Sequence, residues 1–563
     1  MKRTLAWILA GLMAVSMSAC NQETKQETTQ PGSAPVESTP TEAKTNEKQP
    51  FEGTIIQLSD ESITVDGEAI ASDESAAVYA AHDIIFYLEG QDFTYVEGTA
   101  DDEHSQEEAD KHTVVHITQP GDYQLSGTLS AGQIAIDLGE EAEEDPNAVV
   151  NLYLNGVDIT CTVAPGVIFY NVYECGESDE ETATKDVDTS AAGANVFIVD
   201  GTENTVNGSY VARIYKSVEL SEDGKTVVDS KKLHKYDAAF YSKQSMNING
   251  SDGILNINAE NEGLDSELHL TINGGIVNIN SGNDGINTNE DSVSVTTING
   301  GEVNIVVNGS TGEGDGIDSN GWLVINGGTV NASACGFSGD AGIDSDMGIH
   351  VNGGTVLATG NMYDRLEEGG QTYAVLTFAE RQSGGQTYSL KNAADLELFS
   401  VTPANDFMYL ILSSPDLAEG TYSLWLDEMQ LAHGGSGMMG GFGGGHMMGQ
   451  LPGNIQRPED FDGQQPPEGM ENAPMNPDKI GGFKPMEQLQ PNEDGSYTLP
   501  DGSTVSAEEF QQRMEEFREQ GGKGMGGQRP NGVPNNTAEL SVDFTIQNGA
   551  NFFSGIAIPS ETN

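Results

Sequence analysis

Four short acidic phrases stand out by residue type and spacing: ENEGLDS at 260–266, NDGINT at 283–288, GDGIDS at 314–319 and GDAGIDS at 339–345. Glu262, Asp284 and Asp315 come directly before a glycine, and Asp340 lies close to one. An apolar residue follows that glycine (Leu264, Ile286, Ile317 or Ile343), and after it comes Asp265, Asn287, Asp318 or Asp344. No lysine or arginine occurs between Lys243 and Arg365. Two carboxylates one strand spacing apart repel by about 1 kcal/mol in water, and by more where solvent is limited. A hard divalent cation relieves that repulsion. Calcium takes roughly six to eight oxygens from carboxylates, amides and carbonyls with loose geometry, which suits this mix of Asp, Glu and Asn between glycine turns. No His/Cys cluster points to zinc. The plainer alternative is a solvated acidic face with no ion.

The elements that must position these acids are repeats. The phrases INGG at 272, 298 and 325 and VNGG at 351 recur at intervals of 26, 27 and 26 residues. Apolar residues take every second place on both sides of the glycines, as in LHLTI and IVNIN, so each unit reads as strands rather than helices. Strands repeating at this period without helical segments fit a parallel β-helix, in which each turn pairs with the next at about 4.8 Å. Ile272, Ile298, Ile325 and Val351 are expected to stack in its core. Asn249, Asn273, Asn299, Asn326 and Asn352 are expected to form a ladder at the next corner, where Asn and Gly tolerate a left-handed backbone. With Leu264, Ile286, Ile317 and Ile343 inward, Asp265, Asn287, Asp318 and Asp344 point outward on neighbouring turns. Trp322 aligns with His269 and Gly348 and alternates outward, so its indole is either a sugar-stacking platform or is covered by a loop.

The predicted order is a signal peptide at 1–20, a disordered linker at 21–50, an N-terminal cap at 51–112 and the coil at 113–365. A C-terminal antiparallel β unit at 366–432 follows, then a low-complexity insertion at 433–537 and a final strand within 538–563. Lys2 and Arg3, the apolar run Leu5–Val15 and MSAC at 17–20 resemble a bacterial lipobox, which predicts lipidation at Cys20. An ordinary signal peptide cut near Ala19 is the alternative. The expected location is extracytoplasmic, anchored by lipid at the membrane or cell surface. Export permits a disulfide, with Cys161 and Cys175 the expected pair and Cys335 a small buried thiol. The insertion contains HGGSGMMGGFGGGHMMGQ, where His433, His446, Met438, Met439, Met447 and Met448 could hold a soft metal or simply be part of a flexible tract. One short helix is predicted at SAEEFQQRMEEFREQ, opened by a Ser506/Glu509 capping box.

Acids outnumber bases 88 to 24 over 563 residues, a formal net charge of −64, which excludes nucleic acid as a partner. A monomer is expected. The lipobox, HITQPGDYQLSGTL, the DGID and INGG turns, and TPANDFMYLILSSPDLAEGTYSL before a Gly/Met tract together resemble the bacterial cell-surface carbohydrate-binding β-helix proteins of clostridia and their relatives. That resemblance implies an all-β, right-handed parallel β-helix similar in fold to calcium-dependent pectate lyases. It implies bound calcium and affinity for plant polysaccharides such as cellulose and polygalacturonate. It carries Asp265, Asp284, Asp315, Asp318 and Asp344 over as calcium ligands. Asn287 and Glu262 depart from the aspartate pattern, and an extra residue precedes the glycine after Asp340. The expected function is non-catalytic glycan binding. The rivals are a polysaccharide lyase, whose base would come from Lys231, Lys232, Lys235, Lys243 or Arg365, and a surface protein that binds other proteins.

Overall fold

A computed structural model describes residues 51–88, 102–176, 178–220, 227–436, 497–498, 504–505 and 540–559, with the side chains of 213–235, 436, 497–498 and 504–505 excepted. The signal peptide with Cys20, the linker, the Met/His tract beyond Ser436 and the predicted 506–520 helix lie outside the described residues. The fold is all-β. Among the described residues the only α-helix is the single turn Gln106–Ala109, capped by Ser105.

Three parallel ladders carry the middle of the chain. The first runs Thr113–Ile117, Gly132–Asp137, Val167–Asn171, Ala238–Ser242, Glu262–Ser266, Ile286–Thr288 and Ile317–Ser319. The second continues from Val150–Thr160 through Ala194–Ile198, Met246–Gly250, His269–Ile272, Val295–Ile298, Trp322–Ile325 and Gly348–Val351. The third holds Glu203–Gly208, Ile254–Ala259, Ile276–Ser281, Glu302–Val307, Thr329–Ser333 and Thr355–Gly360. From Ala238 to Ser333 the chain visits first, second and third ladder in strict rotation. The antiparallel hairpin Val211–Leu220/Val227–Tyr236 leaves this rotation just before Ala238.

Period-two alternation explains the interior. Ile248, Ile272, Ile298, Ile325 and Val351 occupy one register column, each at most 2% exposed. Burying each such side chain contributes roughly 1.5–3 kcal/mol. The asparagines form a side-chain ladder as expected: Asn273 donates to Asn249, Asn299 to Asn273, Asn326 to Asn299 and Asn352 to Asn326, at 2.9–3.0 Å. At each corner the left-handed residue is the second glycine of the pair, Gly275, Gly301, Gly328 or Gly354, rather than the asparagine.

Both ends of the ladders turn antiparallel. Val78–Ala81 pairs antiparallel with Thr113–Ile117, and Thr54–Leu58 adds in parallel to Gly121–Leu129. At the other end Phe407–Ser413 pairs antiparallel with Thr355–Gly360 and with Tyr373–Gln382. A smaller antiparallel sheet joins Glu397–Val401, Tyr388–Asn392, Gly420–Leu426, Met429–Gln430 and Phe544–Ile546 over a second apolar core. The chain after the insertion therefore completes this unit, and its strand Ala550–Ile556 pairs with Tyr373–Gln382.

The expected Cys161–Cys175 bridge is not formed; both are free thiols, as is Cys335. Cys161 is packed among Val163, Ala164, Ile168 and Tyr241, whereas Cys175 lies on a loop with its sulfur 3.9 Å from the Asp188 carbonyl. Burial pushes these two thiols up to about 12 and about 11, so both stay protonated near neutrality.

Candidate metal site on the first ladder

Strand register sets the acids. Leu264, Ile286, Ile317 and Ile343 are fully buried in the main core, so the residues after them face away from it. Asp265 pairs with Tyr241 and Asn287, and Asn287 pairs with Asp318, giving one column across four turns. A second column precedes the glycines. Gly263 N donates to Asp284 O, Gly285 N to Asp315 O and Gly316 N to Ala341 O. Ala341 therefore takes the place expected for Asp340, because of the extra residue in GDAGIDS. Asp340 is turned aside, its Oδ2 accepting from Gly314 N at 2.7 Å and from Ser338 Oγ.

Away from the core does not mean into water. Asp265 is 0% exposed, and Glu262, Asp284 and Asn287 are also buried. The outward direction holds, but these side chains are covered rather than solvated, which goes against the alternative of a plain solvated face. Asn289 Nδ2 lies over Asp265, 3.0 and 3.2 Å from its two oxygens. Asp284 Oδ1 accepts from Asp315 N at 2.6 Å, and Asp315 Oδ1 accepts from Ala341 N at 2.5 Å. These amide donors favour the ionised form, but not by enough. Burial, then Asp318, pushes Asp284 up to about 8, with Asp340 and Asp237 adding to the rise. Burial, then Asp284 and Asp344, raises Asp315 well above the usual carboxylate range. Burial, then Glu262 and Asp237, does the same to Asp265.

The acids extend beyond the four phrases. Asp237, Glu262 and Asp265 are all buried, and one ligand oxygen of each lies within 4.8 Å of the others. Asn287 reaches this group by donating to Glu262 Oε1 at 3.2 Å, and its own Oδ1 is buried with no hydrogen-bond partner among the described residues. At the other end Asp318 is raised to about 6, by burial and then Asp346, while Asp344 is raised to about 7, by burial and then Asp364. Asp237, Asp346 and Asp364 were missed in the sequence. Asp237 was findable: DAAFYS at 237–242 has the layout of DAGIDS at 340–345, acid, two small residues, an inward apolar residue and a closing serine. Asp346 sits one residue past a phrase, and Asp364 has no repeat signal at all.

Buried carboxylates at this density must be protonated or matched by a cation. The Asp237 group is oxygen-only, with no His or Cys in it, and Asn287 Oδ1 leaves a buried acceptor beside it. Such a donor set fits a hard ion of the calcium type.

Residues 111–374 match a family described as carbohydrate-binding domain-containing protein. The matched stretch takes in the three parallel ladders. A solved structure described as the polysaccharide lyase-like protein from C. thermocellum, in a gadolinium derivative, also matches. It shares 20% identity, covers 54% of this chain and 84% of its own, and superposes with a TM-score of 0.30. No curated protein matches.

Trp322 pairs with Val295 and Gly348 and is half-buried, on the strand that follows the acidic Ile317–Ser319. The described candidate bases are engaged elsewhere. Lys243 Nζ is 2.5 Å from Glu143 Oε1 and 3.1 Å from Asn171 Oδ1, and Arg365 pairs with Glu367 at 3.0 Å. The side chains of Lys231, Lys232 and Lys235 lie outside the described residues. His433 is a packing residue: its ring nitrogens lie 3.1 Å from the carbonyls of Gly435 and Asp543, against Phe544 and Phe553.

Proposed function

We propose that this protein is a surface-anchored, calcium-binding and carbohydrate-binding protein without catalytic activity. The carrying observation is the acidic column from Asp237 to Asp344, buried at Asp237, Glu262, Asp265 and Asp284 and half-buried at Asp315, Asp318 and Asp344, to which the chain from 244 to 364 contributes no lysine or arginine. The family match over 111–374 supports the carbohydrate role. On this reading the three ladders are the faces of a right-handed parallel β-helix. Calcium is held by Asp237, Glu262, Asp265 and Asn287, with Asp284, Asp315, Asp318 and Asp344 forming further positions along the column. Cys20 carries the lipid. A bound cation reverses the local sign of a very acidic protein and lets it share ligands with a uronate, so a polymer such as polygalacturonate becomes an acceptable partner. Trp322, at the start of the second-ladder strand that follows the acidic Ile317–Ser319, offers one ring face to such a chain.

Proton abstraction beside a uronate carboxylate needs a base with a tuned pKa. Lys243 is held by Glu143 and Asn171, and Arg365 by Glu367, which favours binding over cleavage. A polygalacturonate binding isotherm in millimolar calcium, repeated with chelator, tests the reading. Saturable binding that chelator weakens by roughly tenfold or more is expected, with no growth of unsaturated-uronate absorbance over hours. Time-dependent absorbance makes the protein a lyase. Equal binding with and without chelator separates the glycan role from calcium.

A further inference from the structure

The second ladder carries a groove on a different set of side chains from the acids. Its floor is the outward column Asn195, Asn247, Thr271, Thr297 and Val324. One wall is the next outward column, Phe197, Asn249, Asn273, Asn299, Asn326 and Asn352. The other wall is the loop 185–190, pinned to the floor by Thr189, whose Oγ1 lies 2.7 Å from both Asn247 Oδ1 and Thr271 Oγ1. The groove, open to solvent on one side, has a volume of about 610 Å³.

Two observations bear on what it takes. Asn273, Asn299 and Asn326 each spend one N–H and one acceptor position on the ladder, and all three are exposed. An amide has two of each, so every turn presents one spare donor and one spare acceptor, repeated at about 4.8 Å. At the end of the same column Phe197 pairs with Tyr153, both half-buried, their rings stacked at 4.7 Å. A one-dimensional row of paired donors and acceptors that ends on an aromatic side chain matches a strand of rings whose hydroxyls both donate and accept. The row from Phe197 to Asn352 is about 24 Å long, five strand spacings. The charge nearby argues for a neutral strand. Lys185 is paired with Asp186 at 2.6 Å, and Asp188 is left over, so the loop offers a uronate no net attraction.

We infer that this groove binds a single extended strand of a neutral β-linked glycan, its hydroxyls on the asparagine row and one sugar face on Phe197. The inference rests on the carbohydrate-binding reading and assigns it a site separate from the acidic column. Calorimetric titration of the full protein with cellohexaose, and separately with polygalacturonate in calcium, tests it on Thr297→Trp and Phe197→Ala. Thr297 is half-exposed on the groove floor, so a tryptophan there fills the groove without entering the core. Thr297→Trp should weaken cellohexaose binding by roughly tenfold or more, and Phe197→Ala by roughly three- to tenfold, with polygalacturonate binding and melting temperature unchanged. If both variants bind cellohexaose as the parent does, the groove assignment is wrong and the carbohydrate role stands. Binding of polygalacturonate alone overturns the neutral-strand assignment in the same way. Silence toward both sugars removes the groove and the carbohydrate reading together.

Discussion

Freed of divalent ions, the protein should melt at progressively lower temperature as pH rises from about 4 to about 8, and millimolar calcium should abolish most of that loss. In the fold, Asp318, Asp344 and Asp284 are raised to about 6, 7 and 8. An unfolded aspartate titrates near 3.9. Between those values the unfolded chain has released protons that the folded chain retains, so stability falls as pH rises. Below about pH 4 both states are protonated and these groups impose no penalty; above about pH 8 the penalty is complete. One pKa unit is worth about 1.4 kcal/mol, so several raised carboxyls together make a drop of roughly 10 °C or more. Calcium binds the ionised folded form alone and restores stability by mass action. Replacing one buried carboxylate should separate the two effects. Asp315→Asn should raise the melting temperature of the metal-free protein at pH 8 and shrink the calcium-induced rise. Scanning calorimetry across pH with and without chelator checks both, and a melt indifferent to pH and calcium would remove the ion.

Gly285→Ala should destabilise the protein by about 1–3 kcal/mol with calcium present or absent. The glycines between acid and apolar residue invite a reading as flexible turns, but their backbone conformation is not left-handed. A Cβ at Gly285 would lie 2.2 Å from Ile305 Cγ2 and 2.5 Å from the Gly316 carbonyl. At Gly316 it would lie 2.3 Å from the Gly342 carbonyl, and at Gly263 2.5 Å from the Gly285 carbonyl. Each turn thus leaves room for the next only where a side chain is missing. Gly339, where a Cβ would meet nothing within 4 Å, is the control: Gly339→Ala should be neutral or slightly stabilising. Denaturant unfolding of both variants measures the difference. Equal stability of Gly285→Ala and the parent protein would mean that neighbouring turns separate freely.

Local pattern by itself determined a great deal here. Alternating residues around INGG placed Ile272, Ile298, Ile325 and Val351 inside, because side chains alternate sides along a strand whatever its neighbours are. The asparagine ladder followed from a constant repeat length, since identical residues at equal intervals must stack when turns pair in parallel. The acidic phrases were likewise legible as a column, with Ala341 displacing Asp340 through one extra residue. Only the tertiary structure decided how deep that column lies. Alternation says which way Asp265 points but not that Asn289 closes over it, and it was burial that raised these carboxyls. It also decided membership: Asp237 stands beyond a hairpin and Asp364 beyond the last phrase, yet both act on acids far from them in sequence. Cys161 and Cys175 show the same limit, since spacing along the chain carries no information about which residues pack around a thiol. A repeat encodes the stacking of its own turns, whereas what covers those turns comes from loops and ends that do not repeat.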